Sequence, residues 1–395
     1  MKPFRRITAA MLALLMLLGF AACGGEKDEA QGNPKVVIGV FEPASGDNGA
    51  GGKQETLGIQ FGKDTIPTVE VGGVTYDVEL LIVDNESSND KAPTAANALI
   101  SGGASVILGS YGSGVSIAAG DIFATAGVPA IGVTCTNPQV TLGNPSYFRI
   151  CFLDPFQGEV LANYAYNTMG VTNAYCLAKL GDDYSGGLVN YFVKAFENLG
   201  GTVTSETFPD GNSDFTAYLT RAKNAGAGVF FSPVSTEAAA YIIDQAAAMG
   251  FDMPILAGDT WDSNVITQAA TGKNVEILVT TFYQEGGAPE TDAAIKAWIN
   301  GDPLNLTNNN GDDTVAAVTV MGYDAYCVAL EAIKAAGSVK PADILAALPT
   351  VTYEGVSGAI AFDENGDAIR DVAYIKTVNT ENGTWEFVTV QSVEK

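Results

Sequence analysis

Short apolar runs alternate along the chain with longer stretches in which apolar residues return every three or four positions. KVVIGV at 35–40, DVELLIVD at 77–84, the run at 105–109, VPAIGV at 128–133 and the run at 147–150 read as strands. Between them, 93–102 and 114–126 have helical spacing, the second stopped by Gly127. A second unit repeats the rhythm. Strands are predicted at 173–178, 202–208, 228–233, 254–257 and 276–282, and helices at 157–169, 186–199, 215–224 and 236–249. Further helices follow at 292–300, 315–336 and 341–347. The tail reads as hairpins at 359–363, 372–378 and 385–390, with a turn at Glu364-Asn365-Gly366-Asp367. Such alternation implies parallel sheets covered by helices on both faces. Two units of this kind suggest two lobes, with the chain crossing between them more than once. A cleft is then expected where the carboxyl ends of both sets of strands meet.

The first 22 residues fall outside this pattern. Lys2, Arg5 and Arg6 precede an apolar core at 11–18 that is too short to span a bilayer comfortably. Small residues then lead to Cys23. Residues 1–22 are expected to be a signal peptide. A cysteine directly after small residues resembles a bacterial lipoprotein signal, which makes Cys23 the expected lipidation site; ordinary cleavage nearby is the alternative. Residues 23–34 then form a polar, lipid-anchored linker.

Composition narrows the chemistry. The formal charge is −25, and −28 once Lys2, Arg5 and Arg6 are removed. That charge repels nucleic acid and anionic lipid, so no nucleic-acid partner is expected. Histidine is absent, which removes the commonest general base and the commonest transition-metal ligand. No cofactor or metal is expected, and the acidic groups around Asp182-Asp183 and Asp312-Asp313 read as solvated loops. Cys135, Cys151, Cys176 and Cys327 show no CxxC spacing. They are expected to be buried and free, although export would permit disulfides.

One stretch carries candidate chemistry. In VILGSYGSGVSIAAGDI, from Val106 to Ile122, an apolar run ends in Gly109-Ser110-Tyr111-Gly112-Ser113-Gly114 and a helix begins. Unpartnered N–H groups at a helix start favour an anion. No Gly-Lys-Ser/Thr follows, and the spacing is wrong for GxGxxG, so a nucleotide phosphate is disfavoured. A small carboxylate held by N–H groups and hydroxyls fits better; a glycine turn that only packs is the alternative.

Taken in order, several stretches resemble the type I periplasmic binding proteins, in particular the leucine/isoleucine/valine-binding branch of ABC transporter substrate-binding lipoproteins. They are Ile38-Gly39-Val40-Phe41-Glu42-Pro43-Ala44-Ser45-Gly46, Gly127-Val128-Pro129, Thr134-Cys135-Thr136-Asn137-Pro138, Phe148-Arg149, Gly181-Asp182-Asp183-Tyr184-Ser185-Gly186, Gly258-Asp259-Thr260-Trp261-Asp262 and Gly322-Tyr323-Asp324-Ala325. The resemblance implies an α/β fold of two Rossmann-like lobes with parallel sheets joined by a three-segment hinge. Residues 35–153 with 283–352 would form lobe one, and 154–282 with 353–395 lobe two.

The resemblance also implies site residues. Gly112, Ser113 and Tyr111 fall on the carboxylate loop. Thr134 and Thr136 fall on the loop where a backbone carbonyl and a hydroxyl meet the ligand's head group, with Asn-Pro turn capping as the alternative role. Tyr184 falls where an aromatic meets the amino end. Asp259 supplies the counter-charge for an ammonium, whose burial costs several kcal/mol if unpaired. Asp262 is the competing acid, and could instead cap a helix beginning near Ser263. Gly51 stands where some relatives carry an aromatic, leaving a roomier pocket or one filled from elsewhere. Tyr111, Phe156, Trp261, Phe282 and Tyr323 are the possible wall residues.

The expected protein is an extracytoplasmic, membrane-anchored monomer that captures an amino acid, branched-chain or aliphatic, and presents it to an ABC transporter permease. It is not expected to be an enzyme. Rival readings are the same fold with an amide, an aromatic acid or another carboxylate as ligand, and a sensory receptor. An enzyme using Asp259 and Asp262 would need more aromatic platforms nearby.

Overall fold

The computed structural model describes residues 32–392; Cys23 and the expected signal lie outside them. The first lobe opens with β1 (Lys35–Glu42), α1 (Gly49–Thr65), β2 (Thr68–Val71), β3 (Val74–Asp84), α2 (Ala92–Ser101), β4 (Val106–Leu108), α3 (Ser113–Ala126), β5 (Ala130–Gly132) and β6 (Tyr147–Arg149). Its sheet has the order β2-β3-β1-β4-β5-β6. The second lobe contains α4 (Asp154–Asn163), β7 (Asn173–Lys179), α5 (Asp183–Asn198), β8 (Thr202–Phe208), α6 (Thr216–Asn224), β9 (Val229–Phe231), α7 (Thr236–Ala248), β10 (Ile255–Ala257), α8 (Asn264–Ala270) and β11 (Ile277–Thr281).

The chain continues through α9 (Pro289–Gly301), α10 (Pro303–Asn308), α11 (Ala317–Ala336), α12 (Pro341–Ala347) and the hairpin of β12 (Thr352–Gly355) and β13 (Gly358–Ala361). It returns to the second sheet with β14 (Ala373–Asn379) and β15 (Thr384–Gln391), giving the order β15-β14-β11-β10-β9-β7-β8. The fold is thus two α/β lobes joined by connecting segments. The sheets are parallel at their centres, as expected, and mixed at one edge. β2 pairs antiparallel with β3, and β14 pairs antiparallel with β11 and β15. A hairpin strand can pair only antiparallel, so each sheet takes its antiparallel edge from a hairpin.

The glycine-rich segment 49–52 opens a helix, α1. Each interior glycine costs a helix about 1 kcal/mol, so propensity alone disfavours it. Packing reverses the balance. A Cβ on Gly58 would sit 1.8 Å from the Thr319 carbonyl oxygen, and one on Gly322 would sit 2.2 Å from the Glu55 carbonyl oxygen. The two helices, α1 and α11, meet backbone to backbone, and only glycine permits that approach. The seam also holds α1 against the cleft, which fixes Gln54 and Glu55.

Arg149 organises the loop after β5. It is fully buried, and its Nε donates to Asp367 Oδ1 at 2.5 Å. Its Nη1 donates to the carbonyls of Cys135 (2.9 Å) and Asn137 (2.6 Å), and its Nη2 to the Thr141 hydroxyl (2.9 Å). One guanidinium therefore pins the segment that carries Thr134 and Thr136. All four cysteines among the described residues, Cys135, Cys151, Cys176 and Cys327, are buried and free. No helix among the described residues is long and apolar enough to cross a membrane.

Candidate functional site

In each sheet the strand order reverses beside the first strand of its lobe. β3 and β4 flank β1, and β8 and β9 flank β7. Crevices open outside the carboxyl ends of strands at such points. Glu42 ends β1, and Tyr111, Gly112 and Ser113 follow β4. On the facing lobe, Tyr184 lies in the first turn of α5, after β7, and Asp259 follows β10. The two crevices face each other and the lobes touch across them. Tyr111 donates its hydroxyl to the Thr260 carbonyl (3.0 Å), and Asn137 Nδ2 donates to the Asp183 carbonyl (2.7 Å). Gln54 donates to Asn264 (3.1 Å) and accepts from the Ser263 hydroxyl (2.9 Å). Lys179 Nζ meets Asp47 at 2.6 Å. A small pocket opens between the lobes, lined by Tyr111, Gly112, Ser113, Tyr184 and Thr260 among others. The larger hollow lined by Lys35, Lys63 and Trp298 lies away from these residues.

The expected head-group residues fall together here. Gly112 caps α3 in an extended conformation, and Ser113 is its first residue, 1% exposed. The Ser113 hydroxyl accepts the Asn137 N–H at 3.2 Å, tying the two loops of lobe one. Thr136 is fully buried and its hydroxyl has no partner among the described residues. Thr134 instead turns its hydroxyl onto Glu55, donating at 3.1 Å. From lobe two, Asp259 Oδ1 accepts from the Tyr184 hydroxyl and from Gln157 Nε2, both at 2.8 Å. Burial pushes the Asp259 carboxyl up to about 6, with the bonds from Gln157 and Tyr184 drawing it partway back.

Asp262 is differently placed. Lys376 Nζ meets both its oxygens, at 3.1 and 2.9 Å, and the Thr281 hydroxyl adds a further bond. Its charge is already neutralised inside lobe two. The helix that follows is capped by the Ser263 side chain, which accepts the Val265 N–H. At Gly51 the Tyr111 ring lies 2.5 Å from where a Cβ would stand. Tyr111 therefore fills, from the neighbouring loop, the place of an aromatic at position 51. Trp261 and Phe282 are buried in packing, with Trp261 Nε1 donating to the Val234 carbonyl (2.9 Å) and the Phe282 ring tilted 34° against Phe152.

Sequence reading missed four acidic or amide groups of the cleft. Glu42 accepts the Tyr111 N–H at 2.7 Å. Burial, then its neighbour Glu55, raises its carboxyl well above the usual range. Burial raises Glu55 likewise, with Asp259 adding to the push and Thr134 and Glu42 opposing it. Burial also lifts Asp154, at the start of α4, although nearby Thr136 moderates it. Gln157 bridges Asp259 and Thr280. The available signal was an acid at the end of an otherwise apolar strand, in Val40-Phe41-Glu42-Pro43. Among the described residues no group of three or more Cys, Asp or Glu side chains is arranged to hold a metal ion.

Comparison with known proteins agrees with this architecture. The profile of a family described as periplasmic binding protein matches residues 35–384. Leu/Ile/Val-binding protein homolog 1 of Brucella abortus (strain 2308) is 28% identical over 341 residues, spanning 84% of this chain and 87% of its own length. The leucine-binding protein LivK of Thermotoga maritima superposes with a TM-score of 0.79 at 32% identity, covering 90% of this chain and 99% of that one. A solute-binding protein of an ABC transporter from R. palustris, in complex with benzoate, has the same TM-score at 20% identity over 91% of this chain and 96% of its own. That last likeness speaks for the fold alone. The family and fold are those of non-catalytic solute-binding proteins, and the chain belongs to the periplasmic binding protein family.

Proposed function

We propose that the protein captures an amino acid between its lobes and delivers it to an ABC transporter permease. Family membership carries the coarser statement: an extracytoplasmic solute-binding protein of an ABC importer that takes a small ligand in an interlobe cleft. In the finer reading, the α3 N-terminus at Gly112-Ser113 and the Thr136 hydroxyl take the carboxylate. Thr134 offers its backbone carbonyl to the ammonium. Asp259, braced by Tyr184 and Gln157, meets the ammonium from lobe two, and Tyr111 walls the cleft. The observation that carries the reading is Asp259, a buried carboxyl with two hydrogen-bond donors and no cation of its own among the described residues. The names of LivK and the Brucella protein favour an aliphatic or branched side chain. Lipidation at Cys23 would hold the protein, as a monomer, beside its permease.

The second reading is an organic acid without an ammonium, such as the benzoate of the R. palustris protein. A thermal-shift panel separates the two. The purified protein, freed of co-purifying ligand by unfolding and refolding, is screened against the twenty amino acids, small amides and aromatic acids. A 100-fold excess of ligand over Kd stabilises by roughly 2.7 kcal/mol, which is visible in Tm. An amino acid is expected to raise Tm, and Asp259→Ala to abolish the rise. A rise only with benzoates or amides, unaffected by Asp259→Ala, overturns the reading.

A further inference from the structure

The head-group residues leave part of the cleft's chemistry unused. Glu42, Glu55, Asp154 and Asp259 are all buried, and the first three carry oxygens with no hydrogen-bond partner among the described residues. These are Glu42 Oε1, Glu55 Oε2 and both oxygens of Asp154. Independently, the fully buried Gln157 turns its amide nitrogen to Asp259 and leaves its Oε1 without a partner. Ionised, these carboxyls only accept. A proton shared between the neighbouring carboxyls of Glu42 and Glu55 is the competing way to satisfy them, and Thr136 lies beside Asp154 with a hydroxyl that can donate. Nearby cations are committed elsewhere: Arg149 to Asp367, and Lys376 to Asp262. Among the described residues no lysine or arginine forms an ion pair with any of the four carboxyls.

A zwitterion with an aliphatic side chain brings one ammonium and one carboxylate. Asp259 takes the ammonium in the reading above, and the neighbouring carboxyls of Glu42 and Glu55 on lobe one are left without a cation among the described residues. These two acids stand on lobe one, from β1 and α1, beside the Tyr111 ring that fills the place of a side-chain aromatic at position 51. Buried acceptors without donors cost about 1–3 kcal/mol each, more when charged. A donor-rich cation removes that cost: an ammonium carries three N–H groups and a guanidinium five.

We propose that Glu42 and Glu55 form a subsite for a basic group, so that the bound amino acid has an aliphatic stem ending in an ammonium or guanidinium. This rests on the head-group reading above and adds the far end of the ligand. Position 55 then selects among side chains, while Asp259 selects for the α-ammonium. Thr134 holds one Glu55 oxygen, and Glu42 is the carboxyl's other neighbour.

The test is calorimetric titration of the ligand-free wild-type protein with three molecules: L-lysine, L-norleucine and cadaverine. Norleucine lacks only the side-chain ammonium, and cadaverine lacks only the α-carboxylate. L-Ornithine and L-arginine are run beside lysine to allow for stem length. The expected result is that at least one basic amino acid binds tenfold or more tighter than norleucine. Glu55→Gln should then weaken that amino acid at least tenfold and change norleucine less than twofold. Norleucine binding as tightly as every basic amino acid overturns the subsite and makes Glu42–Glu55 a proton-sharing structural pair. So does failure of all three basic amino acids to bind. Cadaverine binding as tightly as lysine, with norleucine weak, leaves the subsite standing and overturns the head-group reading instead. Because the ligand comparison uses wild-type protein, it decides between these outcomes even where Glu55→Gln fails to fold.

Discussion

The chemistry of the cleft turns on a few buried charges with different partners. Asp259 and Asp262 lie three residues apart, yet Lys376 neutralises one and the other faces the cleft. Lys376→Met would leave Asp262 buried and unpaired. Breaking one side of such a pair costs about 3–5 kcal/mol, so a large fall in the denaturation midpoint is expected; a change under about 1 kcal/mol would show that Asp262 finds another partner. Asp259 predicts a pH dependence. Folded, it holds its proton up to about 6; unfolded, only to about 4. The folded state therefore binds more protons in that window. Without ligand, stability should fall as pH rises through it, by roughly 3 kcal/mol. Glu42, Glu55 and Asp154 are raised too and act in the same sense. A bound ammonium favours the ionised carboxylate, so amino acid affinity should climb from pH 5 to 7. The climb should be shallower in Asp259→Asn, and titration calorimetry at each pH measures it. An affinity that falls over that range would contradict the assignment.

At the scale of elements, α1 shows where sequence and structure part. Gly58→Ala inserts a methyl where the Thr319 carbonyl already lies. Overpacking of this kind costs about 1–3 kcal/mol. Chemical denaturation should show that loss, together with weaker ligand binding, because Gln54 and Glu55 ride on the same helix. A neutral Gly58→Ala would mean that α1 and α11 are not held so closely. The αβ rhythm, the parallel strands of both sheets, the β14–β15 hairpin and the helix starting after Ser263 were legible because periodicity, turns and capping are local signals, whereas the short edge strand β2 was not read. The helix over 49–65 was not, since its glycines look like a loop until the partner helix, more than two hundred residues away, supplies the reason for them. Ser113, Thr136, Tyr184 and Asp259 were expected at the cleft from a resemblance in order and spacing, and the fold brings them to the ends of strands that face it. Glu42 carried one local signal, an acid ending an apolar strand; nothing local marks Glu55, Asp154 or Gln157, whose importance comes from the groups that face them.

For the whole molecule, groups from both lobes meet across the cleft, and the contacts are unequal. The Lys179–Asp47 pair spans the cleft mouth, but Asp47 is 44% exposed on its side chain. Exposed ion pairs contribute about 0–1 kcal/mol, so Lys179→Ala should weaken ligand binding no more than about fivefold. A loss of a hundredfold would make this pair a true latch. The Gln54 contacts with Ser263 and Asn264 are buried and join α1 to lobe two, so Gln54→Ala should cost more affinity than Lys179→Ala. Beneath these contacts, the central claim is that the closed cleft recognises an α-ammonium through Asp259. The most direct measurement is a calorimetric titration of the ligand-free protein with its best amino acid and with the same molecule lacking the α-amino group. A loss of at least a hundredfold on removing the amino group is predicted in wild type, shrinking to under tenfold in Asp259→Asn. Equal binding of the two molecules by wild-type protein would contradict the account.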